Sequence, residues 1–532
     1  MGPLRIAEPT VFDKSRPGRR AAVFPRPDVP DVDPRAVLPG VELASAPPAL
    51  PEIGELDLVR HFTRLSHRNH GIDVGFYPLG SCSMKYNPRQ AEAAAGLSGF
   101  RNLHPWAPDT AAQGTLELLW ALEQWLVELT GLSAATLQPA AGAHGELTGL
   151  MLMRAYHEDR GDARRSIVVP DSAHGTNPAS AAMCGYEVVT VPSGADGLVD
   201  VDALDGLVDE HTAGLMLTNP NTVGLFEVEI ERIAAVLHRV GALLYYDGAN
   251  FNAICGRVRP GDMGFDVVHL NVHKTFATPH GGGGPGAGPV VVSGRLAPYL
   301  PAPAVVRSDD GAGGHRYGWD ADRPKSIGRL HGFHGNTGIL LRAYSYLLAH
   351  GGDGLANMSA KAVLGARYVA AQVTDVLPLG YAEHPPMHEF VSTGKGLRAH
   401  GVRVTDLCKR LIDLGYHPPT NYFPLIVEEA LMVEPTESES RETLDGFAQA
   451  LRRIVAEAAD DPELLHDAPV TTPVGRLDEG KAGRELVLRW RPPGGGAAAG
   501  GGAAAGGAAG GGAAGGGAAG GGAAGGAVAT PA

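Results

Sequence analysis

Between residues 166 and 292, six short runs rich in β-branched and apolar residues alternate with helical or glycine-rich segments. The runs cover 166–169, 187–191, 214–218, 242–246, 266–270 and 289–292, and a helix is predicted over 229–240. A strand followed by a helical crossover returns parallel to its predecessor, so this spacing predicts an α/β fold with a largely parallel sheet. In such sheets the carboxyl ends of the strands open onto a common crevice, and ligand-binding groups belong in the loops that follow those ends.

Two residues at such ends carry matching chemistry. Asp247 closes the run 242–246, and Lys274 follows the run 266–270, 27 residues further on. A lysine amine can form an imine with a carbonyl cofactor, and an aspartate at a neighbouring strand end can keep the ring nitrogen of that cofactor protonated. Either residue alone is more simply a solvated surface charge. Together, beside the glycines 281–284 and Gly286 that permit close backbone approach, they point to pyridoxal phosphate, with Lys274 as its attachment point and the catalytic residue. A phosphate-binding P-loop is excluded by the lack of a GxxxxGK[ST] pattern.

Three further motifs surround this pair. Residues 140–146 lead into an apolar helix near Leu147; the helix start at Ala143 could offer N–H groups to a phosphate, and His144 could stack on a flat ring. The loop 171–178, after the run 166–169, holds Ser172 and His174, and the loop 218–224 holds Thr222; both are also plain turn chemistry. Ala249, beside Asp247, is small enough to let a ring lie against the backbone.

The rest of the chain sets limits. A net charge of −14, from 44 basic and 58 acidic residues, and the lack of a basic stripe argue against a nucleic-acid surface. The four cysteines, Cys82, Cys184, Cys255 and Cys408, show no metal-ligand or disulfide spacing, which fits a reducing compartment. No metal is expected. No apolar run approaches the roughly 18–20 residues of a membrane span, and the N-terminus has no apolar core for a signal peptide. Residues 494–527 are glycine and alanine alone and hold 19 of the 74 glycines, so they are read as a flexible extension. The expected division is an N-terminal arm and loop segment over 1–110, a large cofactor-binding domain over 111–340, a smaller C-terminal α/β domain over 341–493, and a tail over 494–532. Helices are predicted over 114–130, 335–348 and 360–373, and a loop over 76–88.

The ordered strings at 76–88, 172–182, 218–227, 246–254 and 259–289, together with His388-Glu389-Phe390, 421–424 and 434–437, resemble the glycine cleavage system P-protein, a glycine decarboxylase; more narrowly, they resemble subunit 2 of its split bacterial form. The resemblance spans about residues 56–491. It implies the type I fold of pyridoxal-phosphate transferases, with a mostly parallel sheet of the seven-stranded type and a smaller C-terminal domain. It places Lys274 on the cofactor lysine, Asp247 on the ring-nitrogen partner, His144 on the ring-stacking position and Thr222 on the ring oxygen, with Ser172, His174 and Ala143 on the phosphate side. It further implies glycine as substrate, the lipoyl arm of the H-protein as acceptor of the aminomethyl group, release of carbon dioxide, and a subunit 1 partner in an assembly with two copies of each chain in the bacterial cytoplasm. Arg323 and Arg329 are candidates to grip the glycine carboxylate, and Lys85 and Asn87 to line the approach.

Two other functions share part of this pattern. A different type I enzyme, such as an amino-acid decarboxylase or a cysteine desulfurase, would keep Lys274 and Asp247, although nothing singles out Cys184, Cys255 or Cys408 as a mobile nucleophile. A non-catalytic scaffold subunit would be expected to have lost both residues.

Overall fold

A computed structural model describes residues 7–45 and 48–488; the glycine-alanine tail lies outside them. Two compact units are present, one formed by residues up to 75 with 467–486, the other by 76–466. In the first, the helix Glu55–Ser66 turns the buried His61 and the exposed Arg64 toward the Glu8 carboxylate, 3.1 and 3.4 Å away, and Lys14 pairs with the same carboxylate.

The second unit is built on a seven-stranded sheet: β1 (Ala134–Thr136), β2 (Ser166–Pro170), β3 (Glu187–Val191), β4 (Thr212–Thr218), β5 (Leu243–Gly248), β6 (Val267–Leu270) and β7 (Val290–Val292). The order is β1-β7-β6-β5-β4-β2-β3, and only β7 runs against the others. The mostly parallel α/β architecture expected of the type I fold is therefore present. β4, β5, β6 and β7 are buried along their whole length, as continuous apolar strands covered on both faces must be. One face packs on the helices Gln113–Thr130 and Ile230–Arg239 through Leu122, Leu126, Ile233 and Leu237, and the other on the helix Gly142–Asp159 through Leu150, Leu152 and Met153.

The observed strands lie within two residues of the expected runs. Outside the expected runs are β1, a three-residue strand, the hairpin of β8 (Ala304–Asp309) and β9 (His315–Asp320), and the three short strands of a second sheet. A second sheet holds β10 (Phe390–Thr393), β11 (Thr420–Asn421) and β12 (Ala430–Val433) in the order β10-β12-β11. The two helices expected over 335–348 and 360–373 are halves of one element, Thr337–Val373, broken only at Gly351, where φ is 60°. This element bridges two cores: Ile339, Leu340 and Tyr346 pack under the large sheet, and Ala366, Val369 and Val373 pack with Phe390, Leu407 and Phe447.

Close packing of the helix Gly142–Asp159 on the sheet depends on its glycines. A Cβ at Gly145 would run into the Gly288 carbonyl, and one at Gly149 into the Tyr245 ring. The backbone of Gly288 cannot give way as a side chain can, so Gly145→Ala should cost roughly 1–3 kcal/mol of stability and lower the thermal midpoint of unfolding. An unchanged midpoint would show that the helix can slide on the sheet.

Candidate active site

Four loops leave the carboxyl ends of β2, β4, β5 and β6 on one edge of the sheet, and Ser172, His174, Thr222, Asp247, Ala249 and Lys274 lie at or just beyond these ends, whereas Ala143 and His144 come from the start of the helix Gly142–Asp159, which follows β1. The strand order reverses direction at β2, where the chain steps out to β3 and crosses back to β4, which is where open sheets form their ligand crevice.

Asp247, 4% exposed, is the best-held charge in this crevice. Asn177 Nδ2 donates to its Oδ2 at 3.0 Å, the Ala249 amide donates to Oδ1 at 2.9 Å, and His269 Nε2 lies 3.3 Å from Oδ1. Burial opposes ionisation, but His269, the two donors and nearby Lys274 outweigh it and hold the carboxyl below its usual range. Parallel register explains the histidine, since Asp247 and His269 are direct neighbours on β5 and β6. His269 is kept neutral by burial. Facing the ionised Asp247, the neutral ring keeps its proton on Nε2, which leaves Nδ1 to accept from the Tyr245 hydroxyl 2.7 Å away.

Lys274 lies in the one-turn helix Val272–Thr275 immediately after β6, half-buried, with no hydrogen-bond or ion-pair partner among the described residues. Its charge is felt by Asp247, His174, His269, His280, Cys82 and Glu389, so these groups share its surroundings. Thr222 is buried in the loop after β4 and Ser172 in the loop after β2. Ala249 is half-buried beside Asp247, and Ala143 is exposed in the first turn of the helix Gly142–Asp159. That helix has no side-chain cap, so its first N–H groups stay available to an anion. An unpartnered amine, a carboxylate kept charged, an uncapped helix start and a crevice lined by small residues are the groups that pyridoxal phosphate requires.

The two candidate histidines have different surroundings. His144 accepts the Ala140 N–H at 3.1 Å through its Nδ1, and its ring lies 6.1 Å from that of His331. Burial and then His331 lower its pKa. For His174 burial is again the first cause, but the charges that act on it are those of Asp247 and Lys274. Of these two, the imidazole on which the charges of Lys274 and Asp247 act is that of His174, an exposed side chain.

Lys85 and Asn87 lie behind Lys274. Lys85 is 3% exposed, and its ammonium donates to Asn252 Oδ1 at 2.6 Å and to the Thr275 carbonyl at 3.0 Å while pairing with Glu437 at 2.9 Å. Asn87 donates to the Ala277 carbonyl at 2.9 Å. The loop 76–88 thus grips the backbone on the far side of the lysine, and no proton of Lys85 is left for a substrate carboxylate. Arg323 donates to the Ala297 carbonyl at 3.2 Å and acts on the charge of buried Glu123. Arg329 is exposed, its guanidinium 5.0 Å from the centre of the Trp106 ring. Neither is brought to the Lys274–Asp247 pair by any hydrogen bond or ion pair in the structure.

The same loop reaches a second buried cluster to which the sequence reading gave no role. Ser81 N–H donates to Glu389 Oε2 at 2.7 Å, Ser83 N–H donates to Glu434 Oε2 at 2.9 Å, and the Ser83 hydroxyl bonds Glu434 Oε1. Ser81 and Ser83 adopt φ of 63° and 46°, a strained conformation for residues with a Cβ. Asn250, three residues after Asp247, donates to Glu389 Oε1 at 3.2 Å. Burial, then the charge of Glu434, drives the Glu389 carboxyl well above its usual range. Cys82, between the two serines, has its thiol pushed up to about 11 by burial. Burial likewise raises Cys184, Cys255 and Cys408 to about 11, 12 and 12, so none is an activated nucleophile.

The family model described as glycine cleavage system P-protein matches residues 54–401, and that of the glycine dehydrogenase C-terminal domain matches residues 358–467. A protein of Desulforamulus reducens named probable glycine dehydrogenase (decarboxylating) subunit 2 is 54% identical over 489 residues, 92% of this chain and 100% of that protein. One of the same name from Oceanobacillus iheyensis is 54% identical over 485 residues, 91% of this chain and 99% of that protein. The crystal structure of a glycine decarboxylase (P-protein) of the glycine cleavage system in inhibitor-bound form superposes with a TM-score of 0.66 at 22% identity, over 79% of this chain and 94% of that one.

Removing the Lys85 ammonium would leave Glu437 buried without a counter-charge. Lys85→Met is expected to cost about 3–5 kcal/mol of stability, read as a lower denaturant midpoint. A variant with native stability that failed only in glycine binding would return Lys85 to the substrate side.

Proposed function

The chain belongs to the glycine cleavage system P-protein family, whose members decarboxylate glycine with pyridoxal phosphate, and we propose that Lys274 and Asp247 are the pair that carries this chemistry here. When bound, pyridoxal phosphate supplies the carbonyl that takes up the glycine amine and the ring that accepts the electron pair left behind by carbon dioxide.

The residues divide the remaining work. Lys274 holds the cofactor until glycine displaces it, and its freed amine can then carry a proton. Asp247 keeps a negative charge opposite the ring nitrogen, so the nitrogen stays protonated and the ring can accept electrons. With the cofactor bound, His174, rather than the expected His144, would cover one face of the ring and Ala249 would leave room at the other; the first turn of the helix Gly142–Asp159, from Ala143, would take the phosphate together with Ser172, and Thr222 would serve the ring oxygen. His144 belongs with His331 at the phosphate end. The Glu389 carboxyl, which accepts from Ser81 and Asn250 and is raised by burial well above its usual range, also lies within reach of the charge of Lys274.

The observation that carries this reading is the unpartnered Lys274 beside a carboxylate that three neighbours keep ionised. The acceptor of the aminomethyl group is taken to be the lipoyl arm of the H-protein, and the partner a subunit 1, with two copies of each chain. No helix among the described residues is long and apolar enough to cross a membrane, and the cytoplasm of a bacterium is the proposed compartment.

The test is exchange of labelled bicarbonate into glycine with pyridoxal phosphate, lipoylated H-protein and the candidate subunit 1. The native chain is expected to support exchange and Lys274→Ala to abolish it. Asp247→Asn, which keeps the shape and removes the charge, should reduce exchange by at least about 100-fold. Exchange undiminished in either variant would refute the assignment.

A further inference from the structure

Glu146 is a second buried carboxyl in the crevice, in the first turns of the helix Gly142–Asp159 and 2% exposed. One atom each of Glu146, Asp247 and His269 lies within 4.8 Å of the others. Two like charges in so dry a place repel strongly, and one carboxyl of such a pair takes a proton. Asp247 has His269 and two N–H donors; Glu146 receives side-chain hydrogen bonds from Asn177, Ser180 and Thr176, but burial and the charge of Asp247 outweigh them and its Oε1 has no geometric partner among the described residues, so the proton belongs on Glu146.

The hydrogen bonds around Thr176 accommodate the same assignment. The Thr176 amide donates to His174 Nδ1 at 3.2 Å, which fixes that nitrogen as an acceptor. Thr176 Oγ1 lies 2.9 Å from this Nδ1 and also 2.9 Å from Glu146 Oε2. The hydroxyl has one proton. If it goes to an ionised Glu146, the contact with Nδ1 joins two acceptors. If Glu146 donates to the hydroxyl, the hydroxyl proton is free to share the single lone pair of Nδ1 with the Thr176 amide, a bifurcated arrangement that leaves no pair of acceptors in contact. Asn177, which donates to Asp247, also touches the Glu146 carboxyl. Glu146 therefore joins two arms, Thr176–His174 on one side and Asn177–Asp247–His269–Tyr245 on the other.

We propose that Glu146 is a positioning residue: in its protonated form it orients His174 through Thr176 and leaves Asp247 the only charged carboxylate of the pair facing the cofactor ring. The proposal rests on the reading of Lys274 and Asp247 as the cofactor-binding pair. Burial, then the charge of Asp247, raises Glu146 to about 7, so its proton is lost as the pH climbs through neutrality. Ionisation removes the donor to Thr176 and adds a second charge beside Asp247. The other titrating groups that face this network are His174, His269, Tyr245 and Lys274.

Spectroscopic titration of the full chain with pyridoxal phosphate at several pH values tests this. In the native chain, cofactor affinity should fall as the pH rises through about 7. Glu146→Gln keeps a neutral donor to Thr176, so it should bind within about twofold of the native chain at low pH and lose the fall near neutrality. Glu146→Ala should bind about tenfold more weakly across the range, with a displaced cofactor absorption band. Should the alanine variant not fold, the flattened pH profile of the glutamine variant still decides. The proposal is overturned if Glu146→Gln keeps the native pH profile, or if its affinity falls as far as that of the alanine variant. If instead no cofactor band forms in the native chain, or the band survives Lys274→Ala, the reading of the site itself has failed.

Discussion

The structure depends on keeping one carboxylate ionised in a nearly dry place. Asp247 ends β5 beneath a sheet edge whose strands are buried throughout, and its charge survives because donors reach it from three different elements. Asn177 comes from the first turn of the helix Thr176–Met183 that follows β2, the Ala249 amide from the turn after β5, and His269 from β6. Each exists only if the parallel register of the sheet is right, since a slip of one residue would turn His269 away. The fold and the chemistry thus impose the same condition: the order that buries the apolar strands also assembles the charge that an electron-accepting ring needs opposite its nitrogen.

Lys274 is held by a different logic. Its side chain has no hydrogen-bond or ion-pair partner among the described residues, and the backbone just after it is gripped through Lys85 on Thr275 and Asn87 on Ala277. Those grips come from a strained loop whose two left-handed serines are tied to Glu389 and Glu434 beside the second sheet. The loop therefore spans from the lysine segment to β10 and β12, and the strain in Ser81 and Ser83 is offset by hydrogen bonds to the buried carboxyls of Glu389 and Glu434. Residues far apart in the chain fix the one amine that has to move.

Much of this was legible in the sequence where the physical signal is local. The β-branched runs of β2 to β7 marked the strands within two residues, and Asp247 and Lys274 stood out because they follow such runs. β1 is three residues of small side chains and carries no periodicity. The helix Thr337–Val373 read as two because Gly351 and Gly352 interrupt its pattern. Orientation was the harder matter. His144 and His174 both sit in glycine-flanked helix starts, and only the packing decides which ring faces Asp247. Lys85, in a polar loop, looked like a group for substrate, but it is buried against Glu437. The support given by His269 was hidden because parallel pairing brings it to Asp247 from 22 residues away. Glu146 and Asn177 lay within motifs already noticed, yet their connection exists only in three dimensions.

The most direct test of the account is chemical trapping. The full chain, loaded with pyridoxal phosphate and reduced with borohydride, would be digested and its peptides sequenced by mass spectrometry. The account predicts a reduced phosphopyridoxyl group on Lys274, in the peptide that also contains His273 and Thr275. A label on Lys85 or any other lysine, with Lys274 unmodified, would contradict it.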